Sequence, residues 1–143
     1  MTDAFRRQIS QEYRQKSDES IEAAHSCFSG GHFQSTCNRA WYSAMQIITA
    51  AGYFALHDSP PKDKINWNHD RMPDLFRDLV KKAKSYDQWR HLPQSIELLL
   101  QLREQADYGV RIEPVTQEVA FRAVTIAGQV REALLPLVEN GNG

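Results

Sequence analysis

Two stretches carry the residues best suited to chemistry. The first is Leu102 to Gly109, LREQADYG, with Arg103, Asp107 and Tyr108 at one helix end. The second is Phe33 to Leu56, FQSTCNRAWYSAMQIITAAGYFAL. There Arg39, Tyr42 and Gln46 recur at steps of three and four, in one helical row with Ser35, Thr49 and Tyr53. A guanidinium stays charged at neutral pH and offers a planar fork of donors, which suits a phosphate or a carboxylate. Asp107 breaks a local rule. An acid in the last turn of a helix meets the negative dipole end and costs about 0.3–1 kcal/mol when exposed. An Arg103–Asp107 pair four apart returns only about 0.2–0.5 kcal/mol. Arg103 and Asp107 are therefore expected to form a buried or half-buried network with Tyr42 or Arg39. The polar row on the second stretch either finds partners inside the core or lines a groove or a subunit interface.

Secondary candidates are His69, His91, Lys81 and Lys82. The two lysines lie in the most basic part of the chain, where Arg77, Lys81, Lys82, Lys84 and Arg90 face only Asp78 and Asp87. Such a run is usually a solvated face, but a phosphate bound on the surface would be sought there first. His25, Cys27, His32 and Cys37 invite a zinc reading. Their spacing matches no structural zinc pattern, and His25 and Cys27 point to different helix faces. Neither metal nor cofactor is expected. Gly-rich phosphate loop, nucleophile elbow and internal repeat are all missing.

The elements that must position these residues are helices. Phe33, Cys37, Ala40, Ala44, Ile47, Ala51 and Phe54 form one apolar row. Trp41, Met45, Ile48, Gly52 and Leu56 form another beside it, as in a buried central helix. Its uncharged run contains Ser43, Gln46, Thr49 and two tyrosines, so a soluble core helix is the better reading than a membrane span. Asp3 to Phe28 reads as a first helix. Lys16 to Ser20 interrupts its pattern and predicts a bend, or a true start near Ser17 or Ser20. Gly30-Gly31 is a stop signal. After a loop from His57 to Asn68, Asn68 and Asp70 are candidate N-caps for a short helix over Met72 to Ala83. A fourth helix spans Pro93 to Tyr108, with Asp87 as an alternative start. Thr116 caps a last one running to about Glu139. No alternating strand pattern occurs. The expected architecture is all-α, an up-and-down bundle of about five helices in one domain over residues 1–143, with its core at about 21–138 and a frayed tail at 140–143.

The 143 residues carry a formal net charge of −1, which argues against a generic polyanion-binding domain. Two cysteines and no export signal at MTDAF point to the cytoplasm and to free thiols.

Asn38-Arg39-Ala40-Trp41-Tyr42-Ser43-Ala44-Met45, taken with Arg103-Glu104-Gln105-Ala106-Asp107-Tyr108, resembles the HEPN domain family. Within it, the chain is similar to a small stand-alone bacterial and archaeal branch. There the central helix carries Arg-Ala-Tyr-Tyr-Ala and the fourth ends Arg-x-x-Ala-Asp-Tyr. The likeness runs from about Ile21 to Val138. His69 falls where that branch often has a histidine, and Trp41 stands where a tyrosine is commoner. The resemblance implies a homodimer, a link to RNA or nucleotides, and in many members a minimal nucleotidyltransferase as toxin–antitoxin partner. Catalytic members are metal-independent RNases with Arg, four to six residues, then His. Here Tyr108, Gly109 and Val110 occupy the positions of that histidine. The expectation is thus a non-catalytic module binding RNA, a nucleotide or a partner protein. The alternatives are an RNase borrowing His69 or His91, and a scaffolding bundle.

Overall fold

The computed structural model describes residues 2–55, 60–61, 64, 67–108 and 115–139, with the side chains of 106–108 and 139 excepted. Five longer helices and one single-turn helix form an all-α up-and-down bundle, and the described residues contain no strand. They are α1 (Asp3–Ser29), α2 (Phe33–Ala55), α3 (Met72–Lys82), α4 (Tyr86–Trp89), α5 (Leu92–Tyr108) and α6 (Gln117–Glu139).

Helix ends follow local chemistry. Thr2 caps α1 by accepting from Phe5 N at 3.1 Å. Gly31 ends the α1 region with φ 78°, a left-handed conformation glycine adopts without strain. His32 N then reaches Cys27 O at 2.8 Å and Gly31 N reaches Phe28 O at 3.1 Å, a Schellman closure. Lys84 does the same after α3 with φ 59°, closed by Ser85 N to Val80 O at 2.9 Å. Thr116 caps α6 through Val119 N at 3.2 Å.

Helix α2 is the centre. Trp41, Ile47 and Ile48 are fully buried in it, against Phe76 and Leu79 of α3, Leu92, Ile96 and Leu99 of α5, and Ala123, Val130 and Leu134 of α6. A Cβ on Gly52 would sit 2.9 Å from the Trp67 ring. The bare backbone at Gly52 is what admits that indole, and Trp67 also packs on Tyr53 with ring centroids 5.4 Å apart. This contact anchors the chain two residues before His69.

Three expectations change. Helix α1 is continuous from Asp3 to Ser29, without a new start at Ser17 or Ser20. Ser10, Ser17 and Ser20 face inward, because a small hydroxyl can approach α2 and bond its polar atoms. Ser10 Oγ donates to Ala50 O and Ser17 Oγ to Ser43 O, each at 2.7 Å. Secondly, Asp70 lies inside a 3₁₀ turn, His69–Arg71, with Arg71 in the N-cap position of α3, and the side chain of Asn68, which precedes the turn, caps nothing. It instead accepts from Lys64 Nζ at 2.8 Å. Thirdly, α5 does not begin at Asp87: that residue lies in α4, and α5 starts with Leu92-Pro93, where a missing N–H costs no helical bond.

Candidate functional site

Three elements meet at Tyr42. Helix α2 presents the phenol, the 3₁₀ turn presents His69, and the last turns of α5 present Arg103. Arg103 Nη2 donates to Tyr42 Oη at 3.1 Å. Its guanidinium carbon also lies 5.6 Å from the Tyr42 ring centroid, within reach of a cation–π interaction. The His69 ring stands edge-on to Tyr42 at 6.5 Å and to Trp41 at 5.3 Å. Tyr42, His69 and Arg103 are all half-buried, so the cluster has a wet side. Trp41 beneath is fully buried, and its indole nitrogen has no hydrogen-bond partner among the described residues.

The electrostatics of His69 follow from this setting. Burial lowers its pKa first, and the Arg103 charge lowers it further. Glu104 and Asp70 act in the opposite direction and do not prevail. His69 is accordingly the neutral imidazole at neutral pH, with one nitrogen able to accept a proton or a hydrogen bond.

The other candidates fall in different places. Gln46 does not join the cluster, although it follows Tyr42 by one turn. Its amide nitrogen donates to Ser20 Oγ at 2.7 Å, Tyr42 O at 3.0 Å and Lys16 O at 3.1 Å, which ties α2 to α1. Arg39 is exposed one turn before Tyr42, on the same side of α2. The side chains of Asp107 and Tyr108 lie outside the described ones, as do Gly109 and Val110. His91 is exposed on the turn before α5 and packs on Trp89 at 6.5 Å, apart from the cluster. Lys81 sits over the Tyr86 ring at 5.1 Å, and Lys82 lines a cleft with Arg6 and Arg7.

Among the described residues, no three His, Cys, Asp or Glu side chains are grouped as a metal ion would need. Cys27 and Cys37 are free thiols, and burial pushes Cys37 up to about 11. No described helix is long and apolar enough to cross a membrane.

Sequence reasoning ranked His69 below Arg39 and Gln46, whereas the fold puts it against Tyr42. The available signal was Gly52 in an otherwise apolar helix: it marks a close approach, and Trp67 makes it.

No curated protein and no solved structure matches the chain. The HEPN domain family matches residues 10–137, a span that contains Tyr42, His69 and Arg103, and the chain belongs to that family.

Proposed function

We propose that this HEPN domain binds single-stranded RNA through Tyr42, His69 and Arg103. One observation supports the reading above the rest: three segments distant in sequence converge to put a guanidinium, a phenol and a neutral imidazole on one half-exposed patch. Single-stranded RNA is held by bases stacking on aromatic rings and by cations on its phosphates. Arg103 supplies the cation and the two rings supply stacking faces. Exposed Arg39 extends the patch along α2. The net charge of −1 makes this a local site with a shallow salt dependence.

A second reading is favoured by the neutral state of His69. A general base must be unprotonated and near the proton it takes, and Arg103 could stabilise charge on the phosphate being attacked. His69 would then take the 2′-hydroxyl proton, as the catalytic histidine does in RNase members of the family. One experiment separates the two. Labelled single-stranded RNA is incubated with the protein without metal, and read by anisotropy and on a denaturing gel. Intact, retarded RNA that is lost with Arg103→Ala supports binding. Cleavage that disappears in both Arg103→Ala and His69→Gln promotes the RNase. No interaction with the parent overturns both and leaves a scaffold.

The proposal takes the working unit as a cytoplasmic homodimer, paired with a minimal nucleotidyltransferase in a toxin–antitoxin module. Family membership supports this, and so does Phe121 on α6, a large apolar side chain that is 61% exposed. Light scattering that finds only a 16.4 kDa species would remove the dimer.

A further inference from the structure

Gly52 and Gly128 both lie well inside helices, and the fold accounts for one of them. A Cβ on Gly52 would meet the Trp67 ring at 2.9 Å, whereas a Cβ on Gly128 of α6 would meet no described atom within 4 Å. A glycine in mid-helix is unfavourable relative to alanine, and alanine would fit at Gly128 without a clash. Gly128 is exposed. A bare backbone there admits a close approach from outside the chain, as the one at Gly52 admits the Trp67 indole from inside.

The residues around Gly128 are arranged evenly about it. Phe121 and Leu135 stand seven positions before and after, about two helical turns each way, so the three share one line down α6. Phe121 is 61% exposed and Leu135 is half-buried. The Phe121 ring is backed by Phe28 of α1, with ring centroids 6.1 Å apart, which holds it in place beforehand. Arg122 and Glu132 lie on one flank of the same line. Both are exposed, and neither makes an ion pair with a described residue. Ten positions, about 15 Å of helix, keep them apart within one chain. Arg122 is six positions before Gly128 and Glu132 four after it. Across a two-fold axis at Gly128 they therefore come within about 3 Å of the same level.

We propose that α6 packs antiparallel on α6 of a second copy of this chain, with the two-fold axis at Gly128. The inference rests on the homodimer of the proposed function and assigns the face that forms it. Phe121 lies against the partner's Leu135, and Arg122 pairs with the partner's Glu132. The facing glycines let the two backbones come close. Each contact occurs twice, as a self-complementary two-fold interface requires. The apolar contacts supply most of the association, and the two ion pairs at the rim fix the antiparallel register. No residue of the Tyr42 cluster belongs to this face.

The test is sedimentation equilibrium of the full chain at micromolar concentration, with circular dichroism as the check on folding. Gly128→Gln puts a good helix former on the axis, so the chain stays helical while the approach is blocked. It should raise the dimer dissociation constant about tenfold or more, and Phe121→Ser should do the same. Arg122→Glu and Glu132→Arg each set like charges against one another at two places, and each should weaken the dimer about threefold. The double variant Arg122→Glu, Glu132→Arg should restore it, because the swapped charges attract again. A parent dimer that Gly128→Gln and Phe121→Ser leave unchanged overturns this face while the dimer itself stands. Charge variants that do not rescue one another overturn the antiparallel register. A parent that sediments only as a 16.4 kDa species overturns the face and the dimer together. RNA binding is read separately, by anisotropy with a short oligonucleotide. Its absence removes the RNA reading and leaves this contact standing, and the reverse.

Discussion

Helix α2 sends polar groups in two directions, and the two sides use them differently. Toward α1 and α6 the contacts are made by small hydroxyls, with Ser10, Ser17 and Ser43 buried. Ser17 Oγ donates to Ser43 O at 2.7 Å and accepts from Arg131 Nη1 at 2.6 Å, while Arg131 Nη2 bonds Asp18 at 2.6 Å. Ser10 Oγ repeats the donation at Ala50 O, and Ser20 Oγ accepts from the Gln46 amide, each at 2.7 Å. Toward α5 and the 3₁₀ turn the groups are large, aromatic or charged, and half-exposed. A buried hydroxyl bonded to a carbonyl spends its hydrogen-bonding capacity inside the protein. A guanidinium over a half-exposed phenol lies where solvent and a ligand can reach it. The difference separates polar residues that specify packing from polar residues at the surface.

The sharpest way to break that contrast is at Ser17. Replacing it by Val removes the hydroxyl's bonds to Ser43 O and Arg131, leaving Arg131 with Asp18 alone, and adds bulk where two helices touch. Ser17→Val should destabilise the fold by about 2–3 kcal/mol, read as a lowered midpoint in urea denaturation. RNA affinity under folded conditions should not change. A variant as stable as the parent would mean that the serine seam is incidental.

Arg103→Ala should give the opposite pattern. Tyr42 is half-exposed, so its hydroxyl can turn to water once the guanidinium is gone. The expected loss of stability is about 1 kcal/mol or less, and the expected loss of RNA affinity is about tenfold. If stability instead fell as far as in Ser17→Val with RNA binding unaltered, the cluster would belong with the seam.

How far each side could be read from sequence follows from the range of the forces involved. The central helix, the Gly30-Gly31 stop and the Thr116 cap are written in residues a few positions apart, and all three are where periodicity and capping rules put them. The unfavourable acid and the polar row predict a network of Arg103 and Asp107 with Tyr42 or Arg39; Arg103 meets Tyr42, and the Asp107 side chain lies outside the described ones. Ser17 and Ser20 look like an interruption in the sequence, because a serine at an inward position looks polar until its partner on another helix, Ser43 O or the Gln46 amide, is known. The approach of His69 to Tyr42 depends on how the chain crosses from α2 to α3, which Trp67 fixes through Gly52. The meeting of Lys82 with Arg6 and Arg7 joins residues more than seventy positions apart, and no local pattern encodes it.

The smallest effect, and the one that tests the cluster as a charge-coupled unit, is the pH response of His69. Burial and the Arg103 charge disfavour its protonated form, so its folded pKa lies below the ordinary value of about 6.5 that it regains on unfolding. As pH falls through about 6.5, the unfolded chain takes up the proton before the folded one. The stability associated with neutral His69 is therefore complete above that pH. It declines as pH falls through the folded pKa, below which both states are protonated. In urea titrations across this window, the parent should lose stability relative to His69→Gln as the solution is acidified. Arg103→Ala should weaken that dependence, because one of the two lowering influences is gone, while Glu104 and Asp70 remain. RNA sharpens the comparison further. A protonated His69 adds a positive charge to the patch, so a binding site should hold RNA more tightly at lower pH in the parent and not in His69→Gln. An RNase using His69 as base should instead gain rate as pH rises through the same window. A pH profile of RNA affinity identical in parent and His69→Gln would place the histidine outside the site.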